Sequence, residues 1–275
     1  MRARRPLWLL TLLATACGSR RGPDVIFLAS ATDVVERMLG VVRVDADDVV
    51  YDLGCGDGRI VVAAARDRGA RGVCVDIDTS LIAASQRNAE AAGVRDRIEF
   101  RHADMFETDL STATVVALYL SPSLNERLRP KILREVRPGA RVVSHNFPMG
   151  DWRPDTTIEV EWPTGTTSSV KAWVVPADVA GNWELTVPTE AGERRLRVRF
   201  TQHYQDLGGT ASGDGRTVAL SAAQLTGDSL EFHLTERSAG RTVLRFAGRV
   251  SDGAMSGTVR SEADSSARAW RGARP

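Results

Sequence analysis

The chain has 275 residues, 43% of them hydrophobic and 26% charged, and a formal net charge of +1. Those fractions belong to a soluble globular protein with room for one large domain or two ordinary ones. A net charge this near zero supplies no global field for nucleic acid or acidic partners, and no long repeat or low-complexity tract appears.

The first residues differ in kind from the rest. Arg2, Arg4 and Arg5 precede an apolar run from Leu7 to Ala16, which closes in Ala14-Thr15-Ala16-Cys17. A basic start, an apolar core of about ten residues and small residues before a cut site read as an export signal. The run is shorter than the roughly 20 residues a bilayer demands. Cys17 resembles a bacterial lipoprotein site, and its lipidation would attach the chain to a membrane. Plain cleavage or an uncleaved leader are the other readings. The expected organisation is a leader at 1–17, a linker at 18–31, a catalytic domain at 32–176, a linker at 177–182 and a β-domain at 183–275. The leader implies the cell envelope, and a cytoplasmic protein if it is unused.

From Thr32 onward, strand and helix alternate. Thr32 is read as the cap of a short amphipathic helix, Asp33 to Leu39. Val49 to Asp52 is a strand and Arg59 to Arg68 a helix. Gly72 to Asp76 is a second strand, and Asp78 or Thr79 caps a helix ending at Gly93. Ile98 to His102 and Thr114 to Leu120 are the third and fourth strands. Leu124 to Val136 is helical, with Pro130 expected to kink or split it. Arg141 to Ser144 is a fifth strand, and Thr157 to Trp162 with Val170 to Val175 close as a hairpin. Continuous apolar strands alternating with helices predict a doubly wound, parallel α/β sheet covered on both faces.

After Pro176 the period changes to two. Trp183–Val187, Arg195–Thr201, Thr217–Leu220, Leu230–Thr235, Val243–Val250 and Met255–Arg260 alternate in polarity. Gly208-Gly209, Gly213-Asp214-Gly215, Gly227-Asp228, Ser238-Ala239-Gly240 and Ser251-Asp252-Gly253 are read as the turns between them. This predicts an antiparallel sandwich or small barrel.

The most informative stretch is Val49 to Ile60, in which Gly54, Gly56 and Gly58 follow Asp52. A strand runs into a turn stripped of Cβ atoms and then into a helix, so a ligand can approach the backbone. Arg59 stands where the dinucleotide fingerprint needs its third glycine, which points to a nucleoside without pyrophosphate. Asp76 ends the second strand, where it suits both hydroxyls of a ribose. Asp104, with Met105 and Phe106, lies just past the third, where it suits an adenine amino group. An acid-lined crevice repels phosphate and welcomes a sulfonium with an ammonium, and that points to S-adenosylmethionine (SAM).

Cys55 and Cys74 suit small buried residues. A disulfide between neighbouring strands is open to them in an oxidising compartment, but the expectation is two free thiols. His102, His145, His203 and His233 are scattered, so no metal site is expected.

Asp-Leu-Gly-Cys-Gly-Asp-Gly at 52–58, Val-Asp-Ile-Asp at 75–78 and His-Ala-Asp-Met-Phe at 102–106 together resemble a class I SAM-dependent methyltransferase. The resemblance covers Val49 to Val175. It implies a seven-stranded sheet whose last strand is antiparallel, and a cofactor site at Asp52, Gly54, Cys55, Gly56, Asp76, Ile77, Asp104 and Met105. The stretch from Leu118 to Asn125 lacks the Asn-Pro-Pro-Tyr motif of amide and adenine methylases, and no basic patch interleaved with aromatics suggests nucleic acid. Arg-Leu-Arg-Pro-Lys-Ile-Leu at 127–133 and Ser-His-Asn-Phe at 144–147 are similar to the mitochondrial lysine methyltransferases. Those act on the adenine nucleotide carrier and on the ATP synthase c subunit, and more distant similarity reaches the non-SET histone lysine methyltransferases.

That narrower resemblance implies direct SN2 transfer to a nucleophilic nitrogen, on a protein lysine or a small molecule, by a monomer. Its candidate catalytic residues are Tyr119, His145, Asn146 and Trp152, with Tyr119, Phe147 and Trp152 as an apolar channel and His145 as a general base. Two other readings stand beside it: an inactive SAM-binding envelope protein, and an envelope lipoprotein whose β-domain holds a lipid or a partner.

Overall fold

Runs of β-branched residues with both faces apolar make a sheet that must be covered twice. In the computed structural model, which describes residues 30–161, 167–189, 192–236, 242–262 and 264–275, such a sheet is found. The expected leader and Cys17 lie outside those residues. The strands are β1 (Val49–Leu53), β2 (Arg71–Asp76), β3 (Ile98–His102), β4 (Val115–Leu118), β5 (Arg141–His145), β6 (Thr156–Glu161) and β7 (Thr167–Val174). Their order is β3-β2-β1-β4-β5-β7-β6. The first five in chain order are parallel; β7 runs antiparallel to β5, and β6 antiparallel to β7. The order reverses at β1, which sits between β2 and β4, and a ligand crevice belongs beyond the carboxyl ends of those strands.

Neighbouring strand residues point to opposite faces. Val50, Val115 and Val143 pack with α1 (Thr32–Val41) and α2 (Arg59–Arg68), while Tyr51, Val116 and Val142 pack with α4 (Pro122–Glu135). α3 (Thr79–Ala91) places Ile82 and Ala89 beside Val61 of α2. Asp78 caps α3 as expected, its Oδ1 accepting from the Ser80 amide at 2.8 Å.

Two helix expectations are corrected. α1 begins at Thr32 itself, and Ala31 at the cap position supplies no side-chain bond. α4 runs through Pro130 as one helix, so the expected split does not occur. The proline deletes one backbone bond, but buried Leu124, Leu128 and Ile132 hold the turns on both sides, and Pro122 starts the helix where its missing N–H is harmless.

The second sheet holds β8 (Gly181–Thr189), β9 (Gly192–His203), β10 (Asp206–Gly213), β11 (Arg216–Ala219), β12 (Ser221–Thr226), β13 (Ser229–Glu236), β14 (Thr242–Ser251), β15 (Ala254–Ser261) and β16 (Asp264–Ala273). The order is β11-β10-β9-β8-β16-β15-β14-β13-β12, every pair antiparallel. It curls until β10 meets β12 and β11 meets β13, giving a nearly closed barrel. The period of two holds: Trp183, Leu185 and Val187 on β8 face inward, as do Leu196, Val198 and Phe200 on β9.

Gly208 and Gly209 are a correction, because they lie inside β10 and make no turn. A Cβ on Gly209 would collide with the Arg199 carbonyl oxygen, so the residue is a close-approach glycine of the ladder. Part of the interior is filled by aromatics: Phe232 stacks on Phe246 at 4.7 Å, and Trp270 meets both rings edge-on. A recess of about 670 Å³ opens beside the buried side chains of Leu196, Ala211 and Leu234.

The two sheets touch directly. The Ala177 amide donates to the Gly227 carbonyl at 2.8 Å, and a Cβ on Gly227 would lie 2.8 Å from the Gly139 Cα.

Candidate functional site

The glycine turn leaves the end of β1 and is bound to β2 along its length. The amides of Gly54 and Cys55 both donate to the Val75 carbonyl, at 2.8 and 3.1 Å. The Gly56 amide donates to Asp76 Oδ2 at 2.9 Å. Gly54, Gly56 and Gly58 all have positive φ, at 77°, 55° and 75°, a region L side chains rarely enter. A Cβ on Gly54 would meet Leu120 at 2.9 Å, so the turn presses against the end of β4. Asp57 and Arg59 pair with each other through two bonds of 2.9 and 2.6 Å. Arg59 thus blocks the dinucleotide pattern and anchors the helix start, also donating to the Ser30 carbonyl.

Cys55 and Cys74 are joined by a disulfide across 19 residues. The expectation of two free thiols is overturned. β1 and β2 are neighbours, with Asp52 opposite Cys74, and the turn folds back so that Cys55 reaches the same strand. The bridge ties the middle of the glycine turn to β2 two residues before Asp76.

The three acids gather at adjoining strand ends. Asp52 is buried, and its Oδ2 has no hydrogen-bond partner among the described residues. Burial, with Asp76 and Asp57 as like-charged neighbours, pushes its carboxyl up to about 8. Asp76 accepts the amides of Gly56 and Asp78, one on each oxygen, at 2.9 Å. Those bonds hold the carboxylate rigid and leave lone pairs for a diol. Ile77 follows it, its carbonyl bonded to His102 Nε2 at 3.0 Å. Asp104 Oδ1 accepts the Phe106 amide at 2.8 Å, an Asx turn that sets Met105 and Phe106 over the β3 end.

The cofactor the sequence implies fits these residues. A cation placed beside Asp52 would satisfy a buried oxygen that the chain leaves bare and would favour its ionised form. Gly54 and Gly56 keep the backbone open to close contact.

Across the crevice, β4 and β5 present aromatic rings. Tyr119 stacks on His145 with centroids 4.1 Å apart, and on Phe147 at 6.3 Å with planes within 15°. His145 is buried, its Nδ1 shares a 2.9 Å hydrogen bond with Ser30 Oγ, and its Nε2 has no partner among the described residues. Burial drives its imidazole down to about 4. The ring, tied at Nδ1 and stacked on Tyr119, is neutral at physiological pH. Asn146 is half-buried at φ 64°, and its Oδ1 accepts the Ser169 amide of β7 at 2.8 Å. It fixes the chain where β5 ends.

Trp152 is not beside these rings. It is wholly buried between Trp173 of β7 and Tyr204 of the second sheet, 5.9 Å from each. The expected channel therefore keeps Tyr119 and Phe147 and loses Trp152. Asn125, absent from the sequence-derived candidates, takes a central place instead. Its Nδ2 lies 3.2 Å from Ser144 Oγ and from the carbonyls of Phe147 and Pro148, holding the segment after β5. A buried asparagine at the start of an amphipathic helix is the only sequence signal for it.

A profile of the ANTKMT methyltransferase domain matches residues 52–156. A protein-lysine N-methyltransferase of Saccharolobus islandicus is 44% identical over 140 residues, 50% of this chain and 87% of that protein. The mouse adenine nucleotide translocase lysine N-methyltransferase is 31% identical over 155 residues, 55% of this chain and 66% of the relative. Among solved structures, an RNA methyltransferase from Salinibacter ruber in complex with S-adenosyl-L-homocysteine is 49% identical, with a TM-score of 0.52. That match covers 55% of this chain and 96% of the other.

Proposed function

Because this chain belongs to the SAM-dependent methyltransferase family of these relatives, we propose that it methylates the side-chain amine of a protein lysine. The cofactor supplies an electrophilic methyl group on sulfur. The chain's own work is to bind, align and exclude water. Asp76 and Asp104 are placed to hold the nucleoside, and Asp52 to face its cationic end.

The observation that carries the acceptor class is the stack of Tyr119, His145 and Phe147 at the ends of β4 and β5, the strands that follow β1 in the sheet. Ser30 links the two sides: its Oγ bonds His145 Nδ1 at 2.9 Å, and its carbonyl accepts from Arg59, the residue after Gly58. A neutral aromatic wall favours an uncharged amine, because desolvation penalises the ammonium form. It then steadies the methylated cation by about 0.5–2 kcal/mol of cation–π attraction. His145, neutral at physiological pH, adds no repelling charge to that wall. Curated relatives named for lysine methylation support the same reading.

We also place the protein in the envelope, on the strength of the N-terminal sequence and of a disulfide suited to an oxidising compartment. The test of acceptor class is transfer of radiolabelled methyl from SAM to separated membrane proteins, soluble proteins, RNA and small molecules. Label recovered as methyl-lysine after protein hydrolysis is expected. Label confined to RNA or to small molecules would overturn the lysine reading and leave the family assignment intact.

A further inference from the structure

Two-residue hairpins need left-handed backbone, and glycine or asparagine supplies it cheaply. The second sheet obeys this at Asp214-Gly215, Gly227-Asp228 and Asp252-Gly253, each joining directly paired strands. The β9–β10 hairpin breaks it. His203 pairs with Asp206, so the turn is Tyr204-Gln205, and Tyr204 carries φ 54°. An aromatic residue in that conformation costs roughly 1–3 kcal/mol, and such strain persists only where the surroundings hold it.

The surroundings here are the segment that follows β5. The Tyr204 ring stacks on Trp152, and its hydroxyl donates to Asp151 Oδ1 at 2.9 Å. The Arg129 guanidinium lies over the other side of the clamp, 5.5 Å from the Tyr204 centroid, and donates to the Met149 carbonyl at 2.8 Å. Gln205 Oε1 accepts the Trp152 indole N–H at 3.1 Å, while its Nε2 donates to the Arg153 carbonyl at 2.7 Å. One strained turn of the second sheet thus grips residues 149–153 by stacking and by hydrogen bonds to side chain and backbone. The same segment, on its inner side, is held by Asn125 at Phe147 and Pro148.

We propose that Tyr204 and Gln205 are positioning residues for methyl transfer: the β-domain clamps segment 147–155 and so fixes Phe147 in the acceptor wall. This rests on the methyltransferase reading above. Neither residue touches the reacting atoms. Their effect passes through Trp152 and the short chain from Met149 back to Phe147. Alignment of this kind is steep, since a shift of about 1 Å costs on the order of 100-fold in rate. At Tyr204 the ring is worth more to the interface than relaxed backbone is to the turn.

Tyr204→Gly tests this, because it relieves the left-handed strain while removing the ring. In the full-length protein, the expected result is faster amide hydrogen exchange across 147–155 and an unchanged affinity for S-adenosyl-L-homocysteine. Methyl transfer to whichever acceptor the wild type labels should fall at least tenfold in kcat/KM. Tyr204→Phe, which keeps the stack and loses only the hydroxyl bond, should recover most of it. Unchanged exchange in the 147–155 segment of Tyr204→Gly would overturn the clamp. Unchanged kcat/KM with faster exchange would overturn its bearing on transfer. A wild type that labels no protein overturns the lysine reading alone, since the exchange measurement still decides the clamp.

Discussion

The proposed cofactor half and the proposed acceptor half of the site are made by different means. The cofactor half is local: a turn, three acids at neighbouring strand ends, and backbone amides bonded to carbonyls and carboxylates within β1–β2. The acceptor half is assembled from afar. Phe147 and Asn146 are placed by Asn125 on α4, Ser169 on β7, and, through Trp152, by Tyr204 and Gln205 on the second sheet. A local half tolerates change elsewhere in the chain, whereas an assembled half is exposed to every element that supports it.

The sharpest way to break the comparison is to remove Trp152, on which the assembled half depends. Trp152→Ala empties a fully buried site between two other aromatics and is expected to cost about 3–5 kcal/mol. Thermal unfolding should shift down on the order of 10 °C. Affinity for S-adenosyl-L-homocysteine, measured below that transition, should stay within twofold. Equal loss of cofactor affinity would show that the halves are one unit.

The converse perturbation strikes the local half. Reducing the Cys55–Cys74 bridge frees a 19-residue loop that starts inside the glycine turn and ends two residues before Asp76. By chain entropy this costs about 3 kcal/mol of stability. Denaturant unfolding with and without a dithiol reads it, and cofactor affinity should weaken while exchange in 147–155 stays as it was. Asp76→Asn is smaller and more local still. It keeps the shape and withdraws the charge that the Gly56 amide bonds and that, in the proposed site, the ribose hydroxyls would share. Bonds to charged groups contribute about 1.5–3 kcal/mol, so calorimetry should find roughly 10- to 100-fold weaker binding.

The same contrast explains what the sequence disclosed. The glycine spacing, Asp52, Asp76 and Asp104 are legible because each sits at a fixed offset from its own strand, and the strands' apolar runs fix the sheet. Trp152 misled because an aromatic near an active-site motif reads alike whether it lines a channel or plugs an interface. Its partners Tyr204 and Gln205 lie 52 and 53 residues on, with nothing local to connect them. Gly208-Gly209 misled for a related reason: glycine signals a turn or a close approach, and only the neighbouring strand decides between them. The disulfide was missed because pairing depends on where the turn folds back, not on spacing.

The smallest effect separates the halves by pH. On the acceptor side, His145 falls from 6.5 to about 4 on folding, so the unfolded chain binds the proton more readily. Stability is therefore whole above 6.5 and declines as pH drops through that range. On the cofactor side, Asp52 rises from 3.8 to about 8, so the folded chain holds the extra proton. Its contribution is whole below 3.8 and declines as pH climbs towards 8. Asp52→Asn should remove the alkaline decline, and His145→Gln the acid one, in denaturation curves taken across pH. Cofactor binding sharpens this further. A cation brought to Asp52 lowers its carboxyl towards the ordinary range, so binding at pH 7 should release up to about one proton. Calorimetry in two buffers of different ionisation enthalpy counts that proton directly. Asp52→Asn should bind more weakly and release none, while His145→Gln should leave the count unchanged, because its ring belongs to the half that the cofactor's charge does not reach.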